Sequence, residues 1–160
     1  EVARATFPVW KTIMLGTGLT SAKDFRKALK KAGCKISTWG DDILGQRAFT
    51  ASPEKHEVDL VVATVAELGF KNGATRKEIY ERAQELGLSL CPAEVGPQLR
   101  LQYLDQPMGE WLIVGMEPIA VSDGCIFVFI VGRDDGGHFH SGGPDYFWSG
   151  VCRFVFVRRK

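Results

Sequence analysis

Seven consecutive apolar residues, Cys125-Ile126-Phe127-Val128-Phe129-Ile130-Val131, constrain this chain more than any other stretch. The run is far too short to span a bilayer, and its β-branched and aromatic content reads as a strand. Side chains alternate across a strand, so Ile126, Val128 and Ile130 share one face, and Phe127, Phe129 and Val131 share the other. Near the C-terminus Val151, Val155 and Val157 alternate with Phe154 and Phe156 in the same way. Both faces of the resulting sheet are apolar and must be covered. Helices on both sides would do this, or a second copy on one side, so a homodimer is an expected partner state.

The remaining pattern builds a fold around that sheet. From Trp111 onward the chain reads as an antiparallel meander: Trp111 to Glu117, Cys125 to Gly132, a short piece near His138 to His140, and Val151 to Arg158. Ser122-Asp123-Gly124 and Asp134-Asp135-Gly136-Gly137 supply turns. Ahead of it, Val9 to Leu15 predicts a strand and Gly16-Thr17-Gly18 a turn. Thr20 or Ser21 caps a helix to about Ala32, with Phe25, Ala28, Leu29 and Ala32 as its buried stripe. Cys34 to Trp39 reads as a short strand, Asp41 to Gly45 as a turn or one helical turn, and Val58 to Val65 as a strand buried on both faces. Thr75-Arg76-Lys77-Glu78 has capping-box spacing, and Gly87 sits where a left-handed residue ends the helix. A second helix follows a tight turn, with Pro92 at its first position and Pro97 predicting a kink or a late start. The expectation is α+β: one domain over 1–160, with an N-terminal strand and helices packed on a mainly antiparallel C-terminal β-meander.

At 160 residues such a chain buries roughly 70% of its unfolded surface and needs no staples. Its net charge of +1 argues against a general polyanion binder, because phosphate affinity comes from neutralising many charges at once. Nucleic acid is therefore not an expected partner. The charge is uneven, however. Residues 1–55 hold ten Lys or Arg against five Asp or Glu, whereas residues 56–110 hold five against nine. Cys34, Cys91, Cys125 and Cys152 lack the spacing of a local zinc knuckle. No secretory leader or membrane span is visible, and reduced thiols in a cytoplasm are the expected state. The phosphate loop, the dinucleotide-binding glycines, the nucleophile elbow and the H-E-x-x-H motif are all absent. These absences lean away from an enzyme, and no cofactor is expected.

Four constellations can carry function. The helix pair over 75–103 could be a DNA-reading helix-turn-helix or winged-helix-like module. Gln98 and Arg100 would then reach the duplex while Lys23, Lys27, Lys30 and Lys31 hold phosphates. A packed helical hairpin explains the same pattern. His138 and His140 share one face of a strand and could ligate a metal in a small metal-dependent enzyme. With Gly132 ahead of them they resemble the opening of the cupin metal motif, with Asp145 where that pattern has Glu, although the later half of a cupin barrel is missing. A bland pair of hairpin histidines is preferred, with no metal. Cys91 before Pro92 could be an activated thiol at a helix N-terminus, but a small buried residue is the simpler reading. Finally, the glycine-rich loop over 142–150 carries Asp145, Tyr146, Phe147 and Trp148. With His138 and His140 it forms the preferred contact region for a protein or small ligand, unless its rings fold back to plug the sheet.

Residues 65–119, from VAELGFKNGATRKEIYERAQELGLSLCPAEVGPQLRLQY to GEWLIVGMEPI, resemble a family of small uncharacterised bacterial proteins. The ending Trp148-Ser149-Gly150 and Phe154-Val155-Phe156-Val157 is similar to theirs too. The resemblance implies a soluble bacterial domain and assigns no catalytic residue, substrate or cofactor. Some relatives carry a helicase label, but the nucleotide-binding motifs that a helicase needs are missing here.

Overall fold

Local sequence sets the element boundaries in the computed structural model, which describes residues 7–133, 138–142 (backbone only) and 147–159. In chain order the elements are β1 (Lys11–Leu15), α1 (Ala22–Lys31), β2 (Lys35–Ile36), α2 (Thr38–Leu44), β3 (His56–Thr64), β4 (Ala74–Thr75), α3 (Arg76–Glu85), β5 (Leu88–Ser89), α4 (Val95–Gln102), β6 (Trp111–Val114), β7 (Ile119–Ala120), β8 (Ile126–Gly132), β9 (His138–Gly142), β10 (Phe147–Trp148) and β11 (Arg153–Arg158). Ser21 and Thr75 close capping boxes with Asp24 and Glu78, as the spacing predicts. Ser37 caps α2, which takes up the end of the strand expected at Cys34 to Trp39. The second helix starts late, at Val95. This places Pro97 in the first turn, where its missing N–H costs no helical bond.

The architecture is α+β, with one open, mostly antiparallel sheet in the order β1-β3-β11-β6-β8-β9-β2. Only β6–β11 and β2–β9 run parallel among the paired strands. The expected meander survives for β6, β8 and β9. The last strand leaves it and inserts between β3 and β6, which joins the N-terminal and C-terminal strands into one sheet. Cross-strand partners share a face. Phe154 lines up with Ile113 and Ala63, and Ile113 with Ile130, on one side. Val155 lines up with Val114 and Val62 on the other, together with Leu112 and Val131.

α3 packs on the first face. The Tyr80 ring meets Phe154 and Phe156 edge-on, with centroids 6.5 Å and 6.0 Å away. Its hydroxyl donates to Met116 O at 2.7 Å and accepts from Met116 N at 3.0 Å. α4 packs on the second face, where Gly96 lies directly against the Phe129 ring. α1 and α2 join α4 there. Phe25 meets Phe49 at 5.4 Å, Phe49 meets Phe129 at 5.9 Å, and Trp39 stacks on Phe127 at 5.2 Å. The two helices read as a hairpin therefore lie on opposite faces of the sheet. The linker explains why: β5 pairs with β11, and Cys91 N donates to Gly115 O at 2.7 Å, so residues 88–91 run along the sheet instead of turning back on α3. Helices cover both apolar faces at the sheet's centre, the first of the two solutions that the alternation allowed.

Candidate functional site

The segment expected to read DNA is the most enclosed in the chain, with Glu94 through Arg100 buried without a break. Gln98 is 2% exposed and Arg100 1%, so neither offers a surface to a duplex. That part of the sequence expectation is corrected, and the cause is visible in the bonds they make. Glu94 accepts from Gly16 N at 2.9 Å, Ser52 N at 2.8 Å and Gln98 Nε2 at 3.0 Å. Gln98 also donates to Thr17 Oγ1 at 2.9 Å, and Gln102 donates to Gln98 Oε1 at 3.0 Å. The Gln102 amide then meets both Met14 N and Met14 O, as a neighbouring strand would, and so covers part of the outer edge of β1. Three polar residues at four-residue spacing are thus a seam between α4 and β1. In the glycine turn at 16–18 Glu94 takes the Gly16 N–H, and just beyond it Asp24 takes Thr20 N and Ser21 N.

Arg100 organises the loop that follows. Its Nη1 donates to Gln106 Oε1 at 2.6 Å and Gly132 O at 2.7 Å, and its Nη2 donates to Tyr103 O at 2.7 Å. Burial depresses its pKa from the ordinary value, and the nearby Cys34 opposes that shift. Gln106 continues the network to Val131 O at 3.1 Å, while Arg133 Nη1 donates to Gln106 O at 2.7 Å. The loop 103–110 is thereby bonded to the end of β8, with Leu104 and Met108 left exposed on it.

At that end of the sheet, β6 and β11 start side by side and β8 finishes. Trp111 lies flat over Gly132, its cross-strand partner, where any Cβ would overlap the indole. Gly132, which had marked the cupin-like pattern, is the seat of this ring. A groove of about 320 Å³ runs between Gly109, Glu110, Trp111, Ile113, Val151, Cys152 and Arg153. Its polar wall is fixed: Tyr103 Oη donates to Glu110 Oε1 at 2.9 Å, and Arg153 Nη1 stands 3.6 Å from Glu110 Oε2. Burial and the adjacent Glu110 push the Tyr103 hydroxyl up to about 12. Val151 is 83% exposed and Phe147 65%. Of the aromatic loop, Trp148 folds back onto Phe154 at 5.4 Å, edge to face, as a plug would. Phe147 rests over Gly73, to which a Cβ would bring its ring within 2.6 Å, and faces outward.

The other candidates separate from this end. Lys23, Lys27, Lys30 and Lys31 are all exposed on α1. The backbones of His138 and His140 lie opposite Gly132 and Ile130, while their side chains, Asp145, Tyr146 and the turn 134–137 lie outside the described residues. Among the described residues no three His, Cys, Asp or Glu gather as metal ligands, and no helix is long and apolar enough to cross a membrane. Cys91 does not stand at the start of α4. It is 4% exposed, its Sγ donates to Val155 O at 3.4 Å, and burial pushes its thiol pKa far up. Ser52 Oγ comes within 3.4 Å of His56 Nδ1 but donates to Glu54 O at 2.9 Å, which makes it a turn contact and not a primed nucleophile. The seam of Glu94, Gln98 and Gln102 was present as a period-four pattern, and the partners that bury it come from a strand some eighty residues earlier in the chain.

No family model, curated protein or solved structure matches this chain.

Proposed function

We propose that the chain is a non-enzymatic interaction domain that holds a protein segment or small ligand at the groove beside Trp111 and Val151. Support comes from one observation above the others: Trp111 and Val151, two large exposed apolar side chains, line one groove whose polar wall, Glu110, is held by Tyr103 and Arg153. Rigid aromatic and aliphatic anchors around a concave surface with a fixed polar wall are what binding sites use. The groove volume of about 320 Å³ lies at the small end of ligand sites, which favours a single side chain or a compact apolar group. Kinship with small bacterial proteins, a cytoplasmic setting and a homodimer seated on this same end belong to the same proposal. They rest on the residue likeness over 65–119 and on the exposed apolar end.

The test is a titration of isotopically labelled protein with N-acetyltryptophanamide and, separately, anilinonaphthalene sulfonate, followed by NMR. Shifts should concentrate at the groove residues Trp111, Ile113, Val151 and Arg153 and vanish in Val151→Asp. Shifts spread over other surfaces, or none at these residues at millimolar probe, would remove the proposal.

A further inference from the structure

We infer that the face formed by α1, Lys35 and Trp39 binds the backbone and bases of single-stranded nucleic acid, independently of the apolar groove. Two separate observations point there. The first is charge. Residues 21–47 hold seven Lys or Arg against three Asp. Lys23, Lys27 and Lys31 recur every four residues, about 6 Å apart along the axis, and Lys30 and Lys35 extend the row. All five are exposed, and among the described residues none forms an ion pair. The acids nearby are occupied. Asp24 caps its own helix, Asp41 pairs with Arg26 at 2.5 Å, and Asp42 accepts from Ser122 and Gln46.

The second observation is an exposed ring beside the row. Trp39 is 42% exposed, one helical turn of sequence past Lys35, and Phe127 stacks behind it with planes 20° apart. α2, which carries Trp39, is tied to α1 through the Arg26 bonds to Asp41 Oδ1 and Asp41 O. A basic track ending at a supported aromatic ring is the arrangement that holds a single strand: lysines follow the phosphates, and a base stacks on the ring. An anionic membrane fits less well, because the apolar side of α1, Phe25 and Leu29, is fully buried and leaves nothing to insert. A paired duplex fits less well because its bases are not free to stack. The chain's net charge of +1 excludes polyanion binding over the whole surface, and a local row does not conflict with that.

The experiment uses fluorescein-labelled oligo-deoxythymidine of twenty nucleotides, with anisotropy read across a salt series. At about −0.7 in log affinity per log salt for each phosphate neutralised, five lysines predict a slope near −3.5. Lys27→Glu with Lys31→Glu should weaken binding about tenfold or more at low salt. Trp39→Ala should weaken it about fivefold or more, with Trp39→Phe restoring much of the loss. Circular dichroism melts report whether each variant stays folded, and Trp39→Phe keeps the test valid if Trp39→Ala does not. No binding at 50 mM salt, equal affinity for a twenty-base-pair duplex, or equal binding to phosphatidylserine vesicles would each overturn the inference. Binding indifferent to both Trp39 variants would do so as well. Val151→Asp should leave this binding unchanged, so its outcome is separable from that of the groove.

Discussion

Replacing Gly96 with Ala separates a buried α4 from an exposed one by the sign of a stability change. In an exposed helix the exchange stabilises by up to about 1 kcal/mol, because alanine loses less backbone entropy. In this structure the new methyl would overlap the Phe129 ring, with Phe129 Cγ 2.7 Å and Cβ 2.9 Å away. Those atoms lie at the root of a side chain that is 0% exposed, and Phe49 meets its ring at 5.9 Å, so the ring cannot swing clear cheaply. Either α4 lifts from the sheet or the ring leaves its rotamer, at a cost of about 1–3 kcal/mol. The expected result in urea unfolding is a lower midpoint with an unchanged slope. The melting temperature should fall by roughly 2–4 °C per kcal/mol lost. Gly96→Ala combined with Phe129→Leu should lose less than the sum of the two single changes, because the shorter side chain makes room. A melting temperature that rises in Gly96→Ala, or strict additivity, would refute the packing argument.

Glu94→Gln should destabilise by about 1–3 kcal/mol in the same assay, since one carboxylate oxygen becomes a donor facing the donors Gly16 N, Gln98 Nε2 or Ser52 N. Brief iodoacetamide treatment followed by mass spectrometry should label exposed Cys125 first and leave Cys91 untouched until urea is added, because burial both hides its thiol and pushes its pKa up. Asp24, Asp42 and Glu78 are held below their ordinary values of 3.8, 3.8 and 4.5, by the Thr20 N–H, the Ser122 hydroxyl and the Thr75 N–H respectively. Their stabilisation is present above those ordinary values and is lost as pH falls through the lower folded ones. Asp42→Asn should therefore flatten the acid limb of a stability–pH curve.

The local signals in this chain were dependable and the long-range ones were not. Ser21, Thr75 and Gly87 mark real helix ends because capping is decided within four residues. The apolar alternation in 125–131 and 154–157 correctly demanded cover on both faces. Adjacency was the difficulty. α3 and α4 are neighbours in sequence, yet nine residues including β5 carry the chain from one face to the other. The exit of β11 from the meander has the same character, since its partner β3 lies about ninety residues away. Glu94, Gln98 and Gln102 show the third kind of miss. Polar residues at helical spacing usually mark a solvated face, and here the backbone of β1 and its turn takes the place of water. The groove was legible only in part. Phe147 and Trp148 stood out as rings in the neighbouring glycine-rich loop but do not line the groove, whereas Trp111 over Gly132 needs the register of β6 against β8.

Nuclear Overhauser contacts of the ring protons test the placement of the two helices most directly. Tyr80 should contact Phe154 and Phe156, and Gly96 should contact Phe129, with no contact between Ile79 or Ala83 and Leu99. Strong contacts from Ile79 and Ala83 to Leu99, with Gly96 far from Phe129, would instead show a helical hairpin on one side of the sheet and contradict the account.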